Sequence, residues 1–256
     1  MLKDVQSEID VRGLAIDQVG VKGVRYPIVV LDKKNVKQHT VATINMYVNL
    51  PREFRGTHMS RFIEVLEAHR GEIAIGRIES ILIEMKSKLK AKDSFIEIEF
   101  PYFIEKKAPV TKAKSLMEYQ CKFIGKHNSK IELLIELKIP VSTLCPCSKS
   151  ISDRGAHNQR GIVKVTYESR ELIWLEDIIH AVEGCASSEL YTLLKRPDER
   201  YVTEYAYDHP TFVEDVVRNA ATALSKFEGI DWFQVEAENF ESIHNHNAYA
   251  MIYTHS

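Results

Sequence analysis

The sequence contains no apolar run that approaches the roughly 20 residues needed for a membrane-spanning helix. It also lacks a strong charge imbalance: its formal net charge is -2, so no bulk field favours nucleic acid or an anionic membrane. The first residues, MLKDVQSEIDVRG, carry charges where a signal peptide requires an apolar core. These absences predict a cytoplasmic protein that binds neither nucleic acid nor a membrane.

Cysteine is scarce as well, and the four present are Cys121, Cys145, Cys147 and Cys185. A reducing cytosol argues against structural disulfides and favours thiolate chemistry, metal ligation or burial for these side chains. The 256 residues are 45% hydrophobic and 27% charged, which is typical of a soluble globular protein with one large or two small domains.

Hydrophobic spacing in the first half predicts the order β-β-α-α-β-β. Strands are predicted at residues 26–31, 42–50, 94–100 and 116–125, where apolar residues cluster or alternate. Two helices are predicted between the second and third strands. Their apolar stripes are Met59, Phe62, Ile63 and Leu66, with Gly71 at the end of the helix, and then Ile75, Ile78, Leu82, Met85 and Leu89.

The second half repeats this order, with a long insertion between its first two strands. Strands are predicted at residues 131–139, 161–167, 232–240 and 247–255, and helices at Leu175–Glu183 and Asp208–Gly229. Asp208 is the expected cap of the last helix, and Pro210 suits its first turn. We therefore predict an α+β fold in two tandem units, residues 1–127 with an N-terminal extension and residues 128–256, whose antiparallel sheets carry helices on one face.

The insertion, LCPCSKSISDRGAHNQRG, concentrates residues that can bind a metal. Along an extended chain, residues two apart point the same way, so Cys145 and Cys147 could both reach one ion, with His157 as the nearest further ligand. Thiolate and imidazole suit Zn²⁺ and other borderline divalent ions. A closed structural zinc site usually has a second cysteine pair, which is missing here. Two buried cysteines and a surface histidine are the alternative.

The segment KRPDERY combines cations with carboxylates. We interpret it as a loop, because Pro197 is expected to break the preceding helix. Lys195 and Arg196 are candidate phosphate ligands, and Glu199, like Asp198, is a candidate metal ligand. A solvated turn that carries both signs is the competing interpretation.

The segment ENFESIHNHNAYA places His244 and His246 close to Glu238 and Glu241. Histidines beside carboxylates are suited to proton transfer near neutral pH. The same pairing could bind a metal, and a plain polar hairpin between two strands is a third possibility.

Two weaker signals lie at predicted helix starts. In GTHMSRF, Thr57, His58, Ser60 and Arg61 begin a helix, where an anion such as phosphate is favoured, although Thr is also a common cap. Glu214 lies in the first turns of the last helix and would ordinarily compensate the helix dipole. Alternatively, its carboxylate could accept two hydrogen bonds from the N–H edge of a guanine-like base.

Taken together, PVSTLCPCSKSISDRGAHNQRG, LYTLLKRPDERYVTEYAY, FVEDVVRN and ENFESIHNHNAYA closely resemble the type IB GTP cyclohydrolase I family, and GTHMSRF fits it as well. The resemblance covers nearly the whole chain. It implies a tunnelling fold whose tandem units close into barrels in a homo-oligomer, with a tetramer expected and active sites between subunits. It also implies a metal-dependent conversion of GTP and water to 7,8-dihydroneopterin triphosphate and formate. This is the first step towards folate-type pterins and, in some organisms, queuosine-type deazaguanines.

The resemblance assigns roles by motif position. The metal ligands that it implies, for Mn²⁺, Zn²⁺ or Fe²⁺, are Cys145, Cys147, His157 and Glu199. Cys145 is also expected to be indispensable for catalysis. Proton transfer and ribose contacts fall to Glu241, His244 and His246. Substrate binding falls to Glu214 for the guanine, and to Arg61, Arg160, Lys195 and Arg196 for the triphosphate.

Two rival functions belong to other classes. A nitrile reductase of the same fold would use a cysteine as a covalent nucleophile together with a nicotinamide cofactor, but both nearby cysteines here lie in a metal-like cluster. A non-catalytic, zinc-stabilised binding module would unfold when its metal is chelated. A cyclohydrolase is expected to lose activity on chelation while its oligomer survives.

Overall fold

The computed structural model describes residues 6, 8–70, 75–169 and 171–254. The strands within them are β1 (Ile16–Asp32), β2 (Val36–Leu50), β3 (Ser94–Lys107), β4 (Lys114–His127), β5 (Ile131–Leu144), β6 (Asn158–Ser169), β7 (Ser188–Glu189), β8 (Ile230–Asn239) and β9 (Ala248–Tyr253). The helices are α1 (Met59–Ala68), α2 (Ile78–Leu89), α3 (Pro146–Ile151), α4 (Leu175–Glu183), α5 (Arg196–Asp208) and α6 (Val213–Leu224). A 3₁₀ turn, Ile75–Arg77, precedes α2. Across the described residues, no helix is long and apolar enough to cross a membrane.

The strands pair in the order β1-β2-β3-β4-β5-β6-β8-β9, and β7 pairs with β5. The pairs β1/β2, β2/β3, β5/β7, β6/β8 and β8/β9 are antiparallel. Two compact units are present, residues 1–101 with 122–134, and residues 102–121 with 135–256. The predicted α+β class with an antiparallel sheet is confirmed, whereas the division at residues 127 and 128 stays a prediction.

In the first unit, the alternation of β2 places one face in the core, as predicted. Ala42, Ile44, Met46 and Val48 are each at most 1% exposed. This period of two follows from side chains pointing to opposite faces of a strand. The helices pack their apolar stripes in the same core. The buried residues are Phe62, Val65 and Leu66 in α1, and Ile78, Ile81, Leu82, Met85 and Leu89 in α2.

The predicted stripe of α1 is wrong in two positions. Met59 and Ile63 are 41% and 39% exposed, whereas Val65 is fully buried. With about 100° of turn per residue, Phe62, Val65 and Leu66 occupy one inward arc, and Ile63 falls outside it. Gly71, predicted to end this helix, lies outside the described residues.

In the second unit, β5, β6 and β8 bury alternate residues, and α4 and α6 each bury one face. The helix α4 spans Leu175–Glu183 as predicted. The buried residues are Leu137, Ile139, Val163, Val165, Val235 and Ala237 in the strands, and Ile178, Ile179, Val182, Val216, Val217, Ala220 and Leu224 in the helices. The chain order of residues 16–127 is β-β-α-α-β-β, and the second half adds α3, β7 and α5 to it.

A helix is present within the predicted segment from Asp208 to Gly229, but its predicted start at Asp208 is wrong. Asp208 is the last residue of α5, and His209 leaves the helical conformation with φ -120° and ψ 57°. Pro210 explains this break, since the residue before a proline disfavours the α conformation. The next helix, α6, begins only at Val213 and ends at Leu224.

Candidate active site

Cys145 lies where β5 gives way to α3. Its backbone is extended, and its thiol accepts a hydrogen bond from the Ser148 amide at 3.4 Å, so the side chain caps α3. Pro146 fits the first turn, because its fixed φ and missing N–H are tolerated there. The premise of a fully extended segment is therefore wrong: Cys147 lies in the first turn of α3, so strand alternation does not determine the direction of its side chain relative to that of Cys145. Cys147 is exposed, and Cys145 is partly buried.

The loop after α3 brings His157 back to Cys145. The Cys145 amide donates to the His157 carbonyl at 3.0 Å, and the His157 amide donates to Ser148 Oγ at 3.2 Å. Ser148 Oγ in turn donates to the Cys145 carbonyl at 3.1 Å. Gly155 permits the return, because its φ of 140° is open to glycine and rare for other residues. The Cys145 thiol and the His157 imidazole therefore extend from neighbouring backbone segments that are hydrogen-bonded to each other.

Glu241, on the connection between β8 and β9, lies between two imidazoles. Its Oε2 is 3.9 Å from Nδ1 of His157 and 3.8 Å from Nδ1 of His244. The Glu241 and His157 side chains are each 13% exposed, whereas the His244 side chain is 51% exposed. The His244 and His246 rings stack with centroids 5.1 Å apart. Of the predicted proton-transfer residues, Glu241 therefore lies next to His157, and His244 lies next to Glu241.

The prediction that Pro197 breaks a helix is wrong, because Pro197 occupies the first turn of α5. A proline is favoured there for the same reason as Pro146 in α3. The next residue, Asp198, is fully buried and caps the turn. Its Oδ1 accepts from the amides of Val110 and Thr111, each at 2.8 Å, and its Oδ2 accepts from Thr111 Oγ1 at 2.6 Å and from the Lys195 amide at 3.0 Å.

These bonds fix the start of α5 to the turn between β3 and β4. Burial raises the pKa of Asp198, but the hydrogen bonds from Thr111, Lys195 and Val110 outweigh it and hold the pKa below its usual range. Asp198 is thus a structural carboxylate, and the neighbouring Glu199 and Arg196 are exposed. Of the two carboxylates noted in KRPDERY, only Glu199 is open to a ligand.

The remaining predicted ligand residues are accessible on separate elements. Glu214 is exposed in the first turn of α6, and Arg160 is exposed near the start of β6. The Thr211 amide donates to the Leu144 carbonyl at 3.1 Å, which ties the segment before α6 to the residue before Cys145. Arg61 belongs to α1 of the first unit, where its Nη1 donates to the Lys88 carbonyl at 3.3 Å.

A cleft of about 430 Å³ separates the return loop after α3 from α5. Lys149 joins α3 to α5: its Nζ donates to the Tyr207 carbonyl and lies 4.2 Å from the centroid of the Tyr207 ring. The cleft is lined by Leu144, Gly155, Ala156, Asn158, Thr203, Glu204, Tyr207 and Asp208.

The chemistry of the donors fits a divalent ion, because a partly buried thiol and an imidazole are supplied by adjoining backbone. Over residues 6, 8–70, 75–169 and 171–254, no group of three or more His, Cys, Asp and Glu side chains is gathered as a complete metal site. The four-residue ligand set therefore stays a prediction. Motif inspection missed the contacts that Lys149 and Asp198 make, and that of Gln159, whose Oε1 lies 3.0 Å from Nδ1 of His157. For Asp198 a signal was present, because an acidic residue three positions after Lys195, directly preceded by Pro197, matches a capped first turn.

Comparison with known proteins identifies close relatives. The sequence profile of the family described as type I GTP cyclohydrolase FolE2 matches residues 2–250. The chain is 57% identical over 251 residues to the GTP cyclohydrolase FolE2 of Geotalea uraniireducens, which covers 98% of this chain and 93% of that protein. It is 56% identical over 252 residues to the GTP cyclohydrolase FolE2 of Thermosipho africanus, with 98% and 97% covered.

Among solved structures, the fold is similar to that of urate oxidases. The uricase of Arthrobacter globiformis aligns with a TM-score of 0.53 at 6% identity, covering 93% of this chain and 92% of that one. A urate oxidase mutant from Bacillus sp. TB-90 aligns with a TM-score of 0.52 at 9% identity, covering 94% and 100%. At such low identity the likeness establishes the tunnelling fold alone.

Proposed function

The chain belongs to the type I GTP cyclohydrolase FolE2 family, and on that premise we propose which of its residues perform each part of the reaction. It is a GTP cyclohydrolase, which converts GTP and water to 7,8-dihydroneopterin triphosphate and formate in the biosynthesis of pterins and folate. The observation that carries the assignment of roles is the backbone hydrogen bond between Cys145 and His157, together with the position of Glu241 beside the His157 ring.

Cys145, Cys147, His157 and Glu199 are the proposed ligands of a divalent cation, Mn²⁺, Zn²⁺ or Fe²⁺. Cys145 and His157 are its fixed part, because their backbones are bonded to each other. Cys147 and Glu199 complete the set from the exposed first turns of α3 and α5. A cation bound there supplies Lewis acidity, which lowers the pKa of a coordinated water towards neutrality.

Glu214 is the proposed anchor for the guanine. Its exposed carboxylate can accept two hydrogen bonds from the N–H edge of the base. The bond from Thr211 to Leu144 supports this role, because it links the backbone ahead of α6 to the backbone ahead of Cys145. The proposed cations for the triphosphate are Arg61, Arg160, Lys195 and Arg196.

Glu241, His244 and His246 are the proposed proton-transfer group. Hydrolysis at C8 opens the imidazole ring of the purine, and a second hydrolysis releases formate. The ribose then opens, rearranges and closes onto the exposed amine. His244 and His246 exchange protons in these steps, and Glu241, whose Oε2 lies 3.8 Å from Nδ1 of His244, orients that ring.

The proposed assembly is a homo-oligomer, taken as a tetramer, in which tandem units close into barrels and neighbouring subunits complete each site. The exposure of Glu199, Glu214, His244 and His246 in one chain supports this arrangement, because a neighbouring subunit can then cover them. A cytoplasmic location is proposed because all four cysteines are free thiols, which a reducing compartment preserves.

The test is incubation of the metal-loaded protein with GTP, followed by oxidation and detection of pterin fluorescence. We expect product with Mn²⁺ or Zn²⁺ and none from Cys145→Ala, whose circular dichroism and oligomer size should match those of the parent. If neither Mn²⁺ nor Zn²⁺ supports product formation, the assignment is overturned. Activity retained by Cys145→Ala would remove that residue from the catalytic set.

A further inference from the structure

The side chain of Gln159, near the start of β6, joins the His157 ring to the interior of the sheet. Gln159 Oε1 lies 3.0 Å from Nδ1 of His157, and Gln159 Nε2 donates to Thr143 Oγ1 at 2.9 Å. Thr143 is completely buried near the end of β5, two residues before Cys145. The His157 ring is therefore held by a side chain whose other end is anchored to the strand that leads into Cys145.

The surroundings of Nδ1 decide which ring nitrogen carries the hydrogen. Besides Gln159 Oε1, the carboxylate oxygen Oε2 of Glu241 faces Nδ1 at 3.9 Å. A carboxylate close to Nδ1 favours a hydrogen on that atom, so the amide of Gln159 must present its oxygen rather than its nitrogen. In the neutral ring, the lone pair is then on Nε2.

We propose that Gln159 is a positioning residue, which holds His157 in the tautomer that offers Nε2 to a divalent cation. The inference rests on the proposed metal role of His157 and adds Gln159 and Thr143 to it. Metal-binding histidines generally donate their second N–H to a carboxylate, carbonyl or water, and loss of that partner typically weakens metal binding about 10- to 100-fold. Gln159 supplies that partner here, and Thr143 prevents the amide from rotating away.

The experiment measures Zn²⁺ affinity by chelator competition on the full-length protein, stripped of metal and reloaded. Gln159→Met keeps the length of the side chain and removes the acceptor, so the Kd should rise about 10- to 100-fold. Gln159→Glu keeps an acceptor for Nδ1 and can itself accept from Thr143, so its Kd should stay within a few-fold of the parent. The matched control is Gln234→Met, which removes a glutamine on β8 that bonds to Glu236 at 2.6 Å and should leave Zn²⁺ binding unchanged.

The outcomes separate this inference from the metal role on which it rests. If His157→Ala binds Zn²⁺ as the parent does, the proposed ligand set itself is wrong. If His157→Ala loses affinity while Gln159→Met does not, only the positioning role is overturned. Equal losses in Gln159→Met and Gln159→Glu would also overturn it, because the acceptor would then be irrelevant. Thr143→Val is a second, milder variant, for which a several-fold weaker Kd is expected and an unchanged Kd would count against the anchor.

Discussion

A buried ion pair in the second unit offers a sharp test of how the core of that unit is stabilised. Lys106 of β3 is only 4% exposed, and its Nζ lies 2.8 Å from Glu183 Oε1 of α4 and 2.8 Å from Glu189 Oε2 of β7. The side chain of Glu183 is 0% exposed and also accepts a hydrogen bond from the Tyr119 hydroxyl at 2.6 Å. The pair thus joins a strand, a helix and the short strand that leads towards α5.

Lys106→Met removes the cation while leaving its volume largely filled. Glu183 would remain buried with the Tyr119 hydroxyl, and with the exposed His180 imidazole 3.7 Å away, but without the ammonium group that neutralises it. Removing one member of a buried pair typically costs about 3–5 kcal/mol, because the remaining charge is uncompensated. Replacing both members by apolar residues is often close to neutral, so Lys106→Met with Glu183→Met should recover most of the loss.

The assay is urea unfolding followed by circular dichroism at one fixed protomer concentration, because oligomer stability depends on concentration. Arg200→Gln is the matched control, since its ion pair with Glu204 on α5 joins side chains that are 79% and 60% exposed and should be worth less than about 1 kcal/mol. The reasoning is refuted if Lys106→Met costs no more than this control. It is also refuted if the double variant is less stable than Lys106→Met alone.

Four further predictions follow. Glu214→Gln should raise the KM for GTP roughly 10- to 150-fold, because hydrogen bonds to a charged group are worth about 1.5–3 kcal/mol. An unchanged KM in steady-state assays would show that Glu214 does not anchor the base. Gly125→Ala should lower the unfolding free energy by about 1–3 kcal/mol in urea, because the added Cβ would lie 2.5 Å from Ile78 Cγ2; unaltered stability would contradict this. Asp198→Asn should lower both Tm and metal content, because an amide would replace an acceptor of four bonds beside Glu199; calorimetry and metal analysis check this. Burial raises the pKa of Glu183, but His180, Lys106 and Tyr119 outweigh it and lower the pKa below 4.5. The ionised Glu183 carboxylate therefore adds to the free energy of unfolding above pH 4.5, and this contribution is lost as the pH falls through the lowered pKa. Glu183→Gln should make the free energy of unfolding less dependent on pH in this acid range.

The elements that the sequence predicted well are those with one buried face. The alternation from Ala42 to Leu50 predicted both the existence of β2 and its inward side, and α4 begins and ends at the predicted residues. Periodicity is informative there because burial imposes a period of two on strands and close to 3.6 on helices.

Predictions failed where a proline acts on an element boundary. Pro197 was expected to end a helix and instead begins α5, while Pro210 was expected to begin a helix and instead separates α5 from α6. A proline disfavours helix in the residue before it and is favoured in the first turn after a cap, so its local sequence permits either outcome. In the structure, Pro197 lies in the first turn of α5, where Asp198 bonds to the Val110 amide, and α6 begins after Thr211, whose amide bonds to the Leu144 carbonyl. The local sequence does not reveal these tertiary hydrogen bonds.

The motifs proposed the residues of the candidate site, but not how those residues are arranged. The motifs located Cys145, His157 and Glu241, and the structure brings the three into one region by backbone bonds and by the β8–β9 connection. The contact between Gln159 and Thr143 depends on the positions of β5 and β6 relative to each other, and such information is absent from residue spacing within a single motif.

The most direct test of the central claim, that the Cys145–His157 pair supports ring opening of GTP, uses GTP labelled with ¹³C at C8. We predict that the metal-loaded parent protein releases the label as formate, one for each pterin formed, whereas His157→Ala, folded as judged by circular dichroism, releases none. Labelled formate from His157→Ala at the parent rate, or pterin formed without labelled formate, would contradict it.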